Sequence, residues 1–143
     1  MKKVVKASVD DLDQLVEIDS EVIGNTSRKD FIKNAIEAEA CLIALENDEV
    51  AGYLIYDTHF FGCSFISMII VSPAKRRKGF ASLLMNHMVS HSETEKVFSS
   101  ANRSNHDMQK VFEANGFVES GVIENLDEGD PEIVYFKSVK EKQ

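Results

Sequence analysis

Four bases stand in a row, Lys75-Arg76-Arg77-Lys78, and Gly79 and Ala81 follow directly. They lie where an apolar run over residues 65–71 gives way, through Ser72-Pro73, to the helical spacing of Phe80, Leu83, Leu84 and Met88. The first turn of a helix carries unpaired backbone N–H groups and the positive end of the helix dipole, so it is an anion site. Gly79 lets backbone approach a ligand with no Cβ in the way, and Ala81 keeps the helix face small. The flanking bases add attraction and direct pairing to phosphate. The chemistry that fits is a cradle for a pyrophosphate.

Other readings of this stretch compete. Gly79 could be only a helix-start glycine in a solvated basic turn. A P-loop is excluded, because GxxxxGK[ST] is absent. Nucleic-acid binding or nuclear targeting through four bases fits poorly with a chain of net charge −8. Taking these four charges out of the total leaves −12 on the remainder, which suits a cationic partner.

The elements that must position the turn fit one domain over residues 1–143. Ser8 and Asp11 form a capping-box pattern, followed by a helix with its apolar face on Leu12, Leu15, Val16 and Val22. Ser27 and Asp30 cap a second helix carrying Phe31, Ile32, Ala35 and Ile36. Strands are predicted over 41–45, 50–56 and 65–71, the last apolar on both faces and therefore central. The helix from Phe80 leads to a strand over 97–101, which makes a parallel crossover. Ser104 and Asp107 cap a short helix that stops at Gly116, and strands over 117–123 and 133–139 close the sheet. The fold class is α+β (mixed α/β), a mostly antiparallel sheet flanked by helices with one parallel pair. Cys41 and Cys63 read as buried thiols, there is no metal-ligand spacing, and no apolar run is long enough to span a bilayer. The expected compartment is the cytoplasm, with no membrane and no nucleic acid as partners and a homodimer left open.

The stretch Val71-x-Pro73-x-x-Arg76-Arg77-x-Gly79-x-Ala81 resembles the acetyl-CoA-binding motif of the GNAT superfamily of N-acetyltransferases. A second match follows in register: Asn105, Met108 and Phe112, then Gly116-Phe117. The resemblance covers nearly the whole chain. It implies a GNAT-like fold, acetyl-CoA as cosubstrate, and a small-molecule or peptidyl amine as acceptor. The pantetheine arm would add to backbone at Ile69, Ile70 and Val71. The pyrophosphate would rest on Arg76, Arg77, Lys78, Gly79, Phe80, Ala81 and Ser82, with Asn105 and Phe112 completing the cofactor site.

Direct attack of an amine on the thioester needs a base for the amine and is helped by an acid for the sulfur. The family's usual acid is a tyrosine at the position of Phe112, which has no proton to give. Tyr135, Tyr56 and Tyr53 are the alternative acids. The other outcomes are a thiolate that leaves unaided, or a coenzyme-A-binding module without catalysis. The acidic segment 124–132 holds five carboxylates, and Asp130 and Glu132 are its candidate proton acceptors beside a plain solvated turn. His59 and Ser67 are lesser candidates.

Overall fold

The computed structural model describes residues 1–139; the end of the expected domain, residues 140–143, lies outside the described residues. The elements run β1 (Lys2–Lys6), a 3-10 turn (Val9–Asp11), α1 (Leu12–Ile23), α2 (Lys29–Glu37), β2 (Cys41–Glu46), β3 (Glu49–Phe60) and β4 (Cys63–Val71). A second 3-10 turn (Pro73–Lys75) leads to α3 (Phe80–Ser90), β5 (Lys96–Asn102), α4 (His106–Ala114), β6 (Val118–Ile123) and β7 (Glu132–Ser138). The strands are ordered β1-β2-β3-β4-β5-β7-β6 in one sheet. The β4–β5 pair is parallel, whereas β1–β2, β2–β3, β5–β7 and β6–β7 are antiparallel. The mixed α+β class and the single parallel pair match the sequence reading.

Two compact units divide the chain. The first comprises residues 1–56 and 68–88. Its core joins Leu12, Leu15, Val16 and Ile18 of α1 to Ile32 and Ile36 of α2 and to Ile43, Tyr53 and Ile55 on one sheet face. Leu42, Ala44 and Leu54 are buried on the other face, as expected for strands covered on both sides. Gly52 is needed for space: a Cβ there would lie 2.6 Å from the carbonyl oxygen of Ile70. Cys41 is buried in this core, and that burial pushes its thiol up to about 12, so it stays protonated at neutral pH.

Among the described residues, the second unit holds 57–67 and 89–139. Its parallel ladder is short: Ser64 pairs with Val97, Phe65 with Phe98 and Ile66 with Ser99. The Ser99 hydroxyl donates to the Ile66 carbonyl at 2.7 Å and reinforces the last rung. The aromatic ring of Phe112 on α4 stacks on Tyr135 of β7 at 4.6 Å and lies 5.4 Å from Phe117.

Several local expectations are corrected. Residues 2–6 form a seventh strand, an exposed edge that the sequence reading missed. On α1 Leu12, Leu15 and Val16 are buried as expected, but Ile18 and Asp19 join them, while Val22 is 38% exposed. Asp19 is tolerated there because Arg28, nine residues on, pairs with it through Nε at 3.0 Å and through Nη2. Arg28, not Ser27, stands at the start of α2, and the Ser27 amide donates to Asn25 Oδ1 instead. Asn105, not Ser104, caps α4. Cys63 is only half-buried.

Candidate active site

The β4–α3 turn has the conformation that an anion cradle needs. Arg76 is extended, whereas Arg77 and Gly79 both adopt left-handed backbone, with φ of 65° and 84°. Left-handed residues that alternate with ordinary ones turn successive N–H groups toward one side, forming a concavity for an anion. As the helix begins, the Leu83 N–H reaches the Gly79 carbonyl at 3.0 Å. Arg76, Arg77, Lys78 and Gly79 are exposed, while Phe80 is buried and roots the helix. A Cβ built on Gly79 would meet nothing within 4 Å, so the requirement at this position is conformational and the space beside it is open. Backbone and open space together fit a pyrophosphate.

The four bases of the run divide their work. Lys75 bonds to Glu46 at 3.1 Å and Glu49 at 3.2 Å, across the β2–β3 turn. Its pKa is raised and that of Glu46 lowered, chiefly by their shared hydrogen bond. Lys75 is therefore spent on holding the turn. Arg76 Nε donates to the Val71 carbonyl at 3.3 Å and ties the loop to the end of β4. Arg77 and Lys78 remain as exposed charge at the cradle. Lys2 also touches this loop, at the Lys78 carbonyl, and the sequence reading missed it; residues 2–6 carry no signal of their own for that contact.

The β4 residues Ile69, Ile70 and Val71 are half-buried and lie beyond the last rung to β5 at Ile66. A strand that outruns its neighbour presents backbone to which an extended ligand can add. The other expected cofactor residues, Asn105 and Phe112, belong to the second unit. Asn105 Oδ1 accepts the Met108 N–H at 3.2 Å and so caps α4. Phe112 is 1% exposed, a core ring.

The acid and base candidates differ in setting. Tyr135 is fully buried, its hydroxyl has no hydrogen-bond partner, and burial first, then Glu119 and Glu113, raise its pKa. Tyr53 is buried beside Asp19 and Arg28, and burial is again the main cause of its raised pKa. The Tyr56 hydroxyl donates to the Glu39 carbonyl at 3.4 Å. Asp130 takes the Ser104 N–H at 3.0 Å and the Ser104 hydroxyl at 2.6 Å, so both its oxygens hold the loop. Glu132 accepts the Ser100 hydroxyl at 2.6 Å. His59 and Ser67 are exposed. Among the described residues, no cluster of His, Cys, Asp or Glu could hold a metal ion.

The sequence profile of the acetyltransferase (GNAT) family matches residues 9–117, which include the cradle and α4. The chain belongs to the GNAT acetyltransferase family. This acetyltransferase is 58% identical to a GNAT-family acetyltransferase from Bacillus cereus ATCC 10987, with a TM-score of 0.94 over 96% of this chain and 97% of that one. The ribosomal-protein-S18-alanine N-acetyltransferase from Escherichia coli is similar in fold, with 16% identity and a TM-score of 0.84 over 97% of this chain and 94% of that one. So is yncA from Salmonella typhimurium, solved with its cofactor acetyl-CoA: 15% identity and a TM-score of 0.81 over 98% and 95%. No curated protein matches the chain. The family and its named members make this GNAT protein an acyltransferase enzyme. None of its described helices is long and apolar enough to cross a membrane.

Proposed function

We propose that residues 1–143 form one acetyltransferase domain that moves an acetyl group from acetyl-CoA to a primary amine of a small molecule or peptide. The observation that carries the reading is the cradle at residues 77–82, with its two left-handed residues opening α3. Bound acetyl-CoA supplies an acetyl group activated as a thioester. Residues 77–82 hold phosphate oxygens by backbone N–H, with charge from Arg76, Arg77 and Lys78. Ile69, Ile70 and Val71 offer main-chain groups to the pantetheine arm. Asn105 and Phe112 complete the cofactor side. Asp130 and Glu132 take the proton that the amine must lose, and Tyr135 holds a proton at its hydroxyl for the departing sulfur. The charge of the chain outside the basic run favours a cationic acceptor.

The test begins with acetyl-CoA alone. At a hundred times its dissociation constant it should stabilise the protein by about 2.7 kcal/mol. That raises the melting temperature by roughly 8 °C for a chain of this size. No rise at saturation overturns the reading. Thiol release is then followed over polyamines, aminoglycosides, amino acids and peptide N-termini, and turnover on none of them removes the acyl-transfer step.

Tyr135→Phe removes a hydroxyl that bonds to nothing, so it should leave the melting temperature unchanged or raise it, by at most about 1 kcal/mol in stability. Its kcat decides the acid role. An acid that matters loses about a hundredfold or more, and an unchanged kcat returns Tyr135 to the core.

A further inference from the structure

We infer that Lys2, on the edge strand β1, is a positioning residue for the phosphate cradle. The inference rests on the proposed binding of acetyl-CoA at residues 77–82. The Lys2 ammonium donates to the Lys78 carbonyl at 2.6 Å. It also stands 4.8 Å over the ring of Phe80, which is rooted in the core. The backbone of Lys2 is itself fixed, because β1 pairs with β2 in the register Lys2 to Glu46.

The consequence follows from peptide geometry. No described peptide bond is cis. In a planar trans unit the C=O and the following N–H point in opposite directions. A Lys78 carbonyl drawn to Lys2 therefore aims the Gly79 N–H away from Lys2. A flip of this peptide would reverse that N–H and change φ at Gly79, now 84°. Gly79 is one side of this peptide and left-handed Arg77, at φ 65°, immediately precedes Lys78, so the loop lacks the uniform backbone that would otherwise hold it. The Lys2 bond supplies the missing restraint. A carbonyl engaged by a cation also strengthens its N–H as a donor, since linked hydrogen bonds polarise one another. Lys2 thus acts on phosphate through the Gly79 amide, without touching phosphate.

The test compares Lys2→Met, which keeps a stem over Phe80 but loses the ammonium, with Lys2→Arg, which keeps donor and charge. Calorimetry measures acetyl-CoA; acetyl-pantetheine, a thioester without phosphates, is the control, read by KM. Lys2→Met should weaken acetyl-CoA about tenfold (about 1.4 kcal/mol). Lys2→Arg should bind near the natural level, and KM for acetyl-pantetheine should not move. The salt dependence of acetyl-CoA binding should keep its slope, because no ion pair to phosphate is lost. An unchanged affinity in Lys2→Met overturns the inference. So does a shallower salt slope, which means direct contact, or an equal loss with acetyl-pantetheine, which means a general structural role. Failure of the natural protein to bind acetyl-CoA at all would instead strike the proposed function.

Discussion

Gly79→Val will remove the stabilisation by acetyl-CoA while leaving a folded protein. Residue 79 sits at φ 84°, where an L-residue carries roughly 1–2 kcal/mol of strain, and a β-branched one more. The variant has two courses. It can stay left-handed, which lowers the melting temperature by a few degrees. Or it can relax to negative φ, which swings the peptides on either side and scatters the amides that share one anion. The first course sets the branched side chain in the open space beside residue 79 and the second scatters the amides, so a loss of affinity of about a hundredfold or more is expected by calorimetry. Gly79→Ala separates strain from bulk, because a Cβ there meets no atom within 4 Å; its loss should be about tenfold. Affinity retained in Gly79→Val would mean that the pyrophosphate lies elsewhere.

Arg28→Ala will cost about 3 kcal/mol of stability, or roughly 9 °C in melting temperature. Asp19 is 1% exposed within the apolar core between α1, α2 and the sheet. Arg28 is its cation, by two hydrogen bonds. Removing one partner leaves a buried charge with no compensation, which usually costs 3–5 kcal/mol. The lower end applies because the Arg28 side chain is 34% exposed and water can reach the site. Adding Asp19→Asn to Arg28→Ala removes the orphaned charge and should recover part of the loss, as a double-mutant cycle in urea would show. A cost under 1 kcal/mol would show that Asp19 is solvated or neutral in the folded protein.

The same pair shows where the sequence stopped being legible. Spacing placed α1 correctly through Leu12, Leu15 and Val16. It could not show that a carboxylate would displace Val22 from the buried face, because the reason is a partner on the next helix. β1 was missed for a related cause: Lys-Lys-Val-Val-Lys is short and almost wholly exposed, so its pairing with β2 decides it rather than its own apolarity. The strand-to-helix turn was legible because a helix start, a glycine and clustered bases coincide within a few residues. Which bases of the run other residues would engage was not. Lys75 is claimed by Glu46, 29 residues away, and only folding brings them together. Among the acid and base candidates, the sequence named Tyr135, Asp130 and Glu132 by residue type, but their engagement with Phe112, Ser104 and Ser100 depends on tertiary contacts between separate elements.

The different settings of the two cysteines bear on how turnover can be followed by eye. Released coenzyme A is a thiol, and an aromatic disulfide reagent would turn yellow with it. Cys41 cannot compete, being protonated and enclosed. Cys63 is the one accessible protein sulfhydryl, so its reaction adds at most a single equivalent per chain, an offset at time zero rather than a slope.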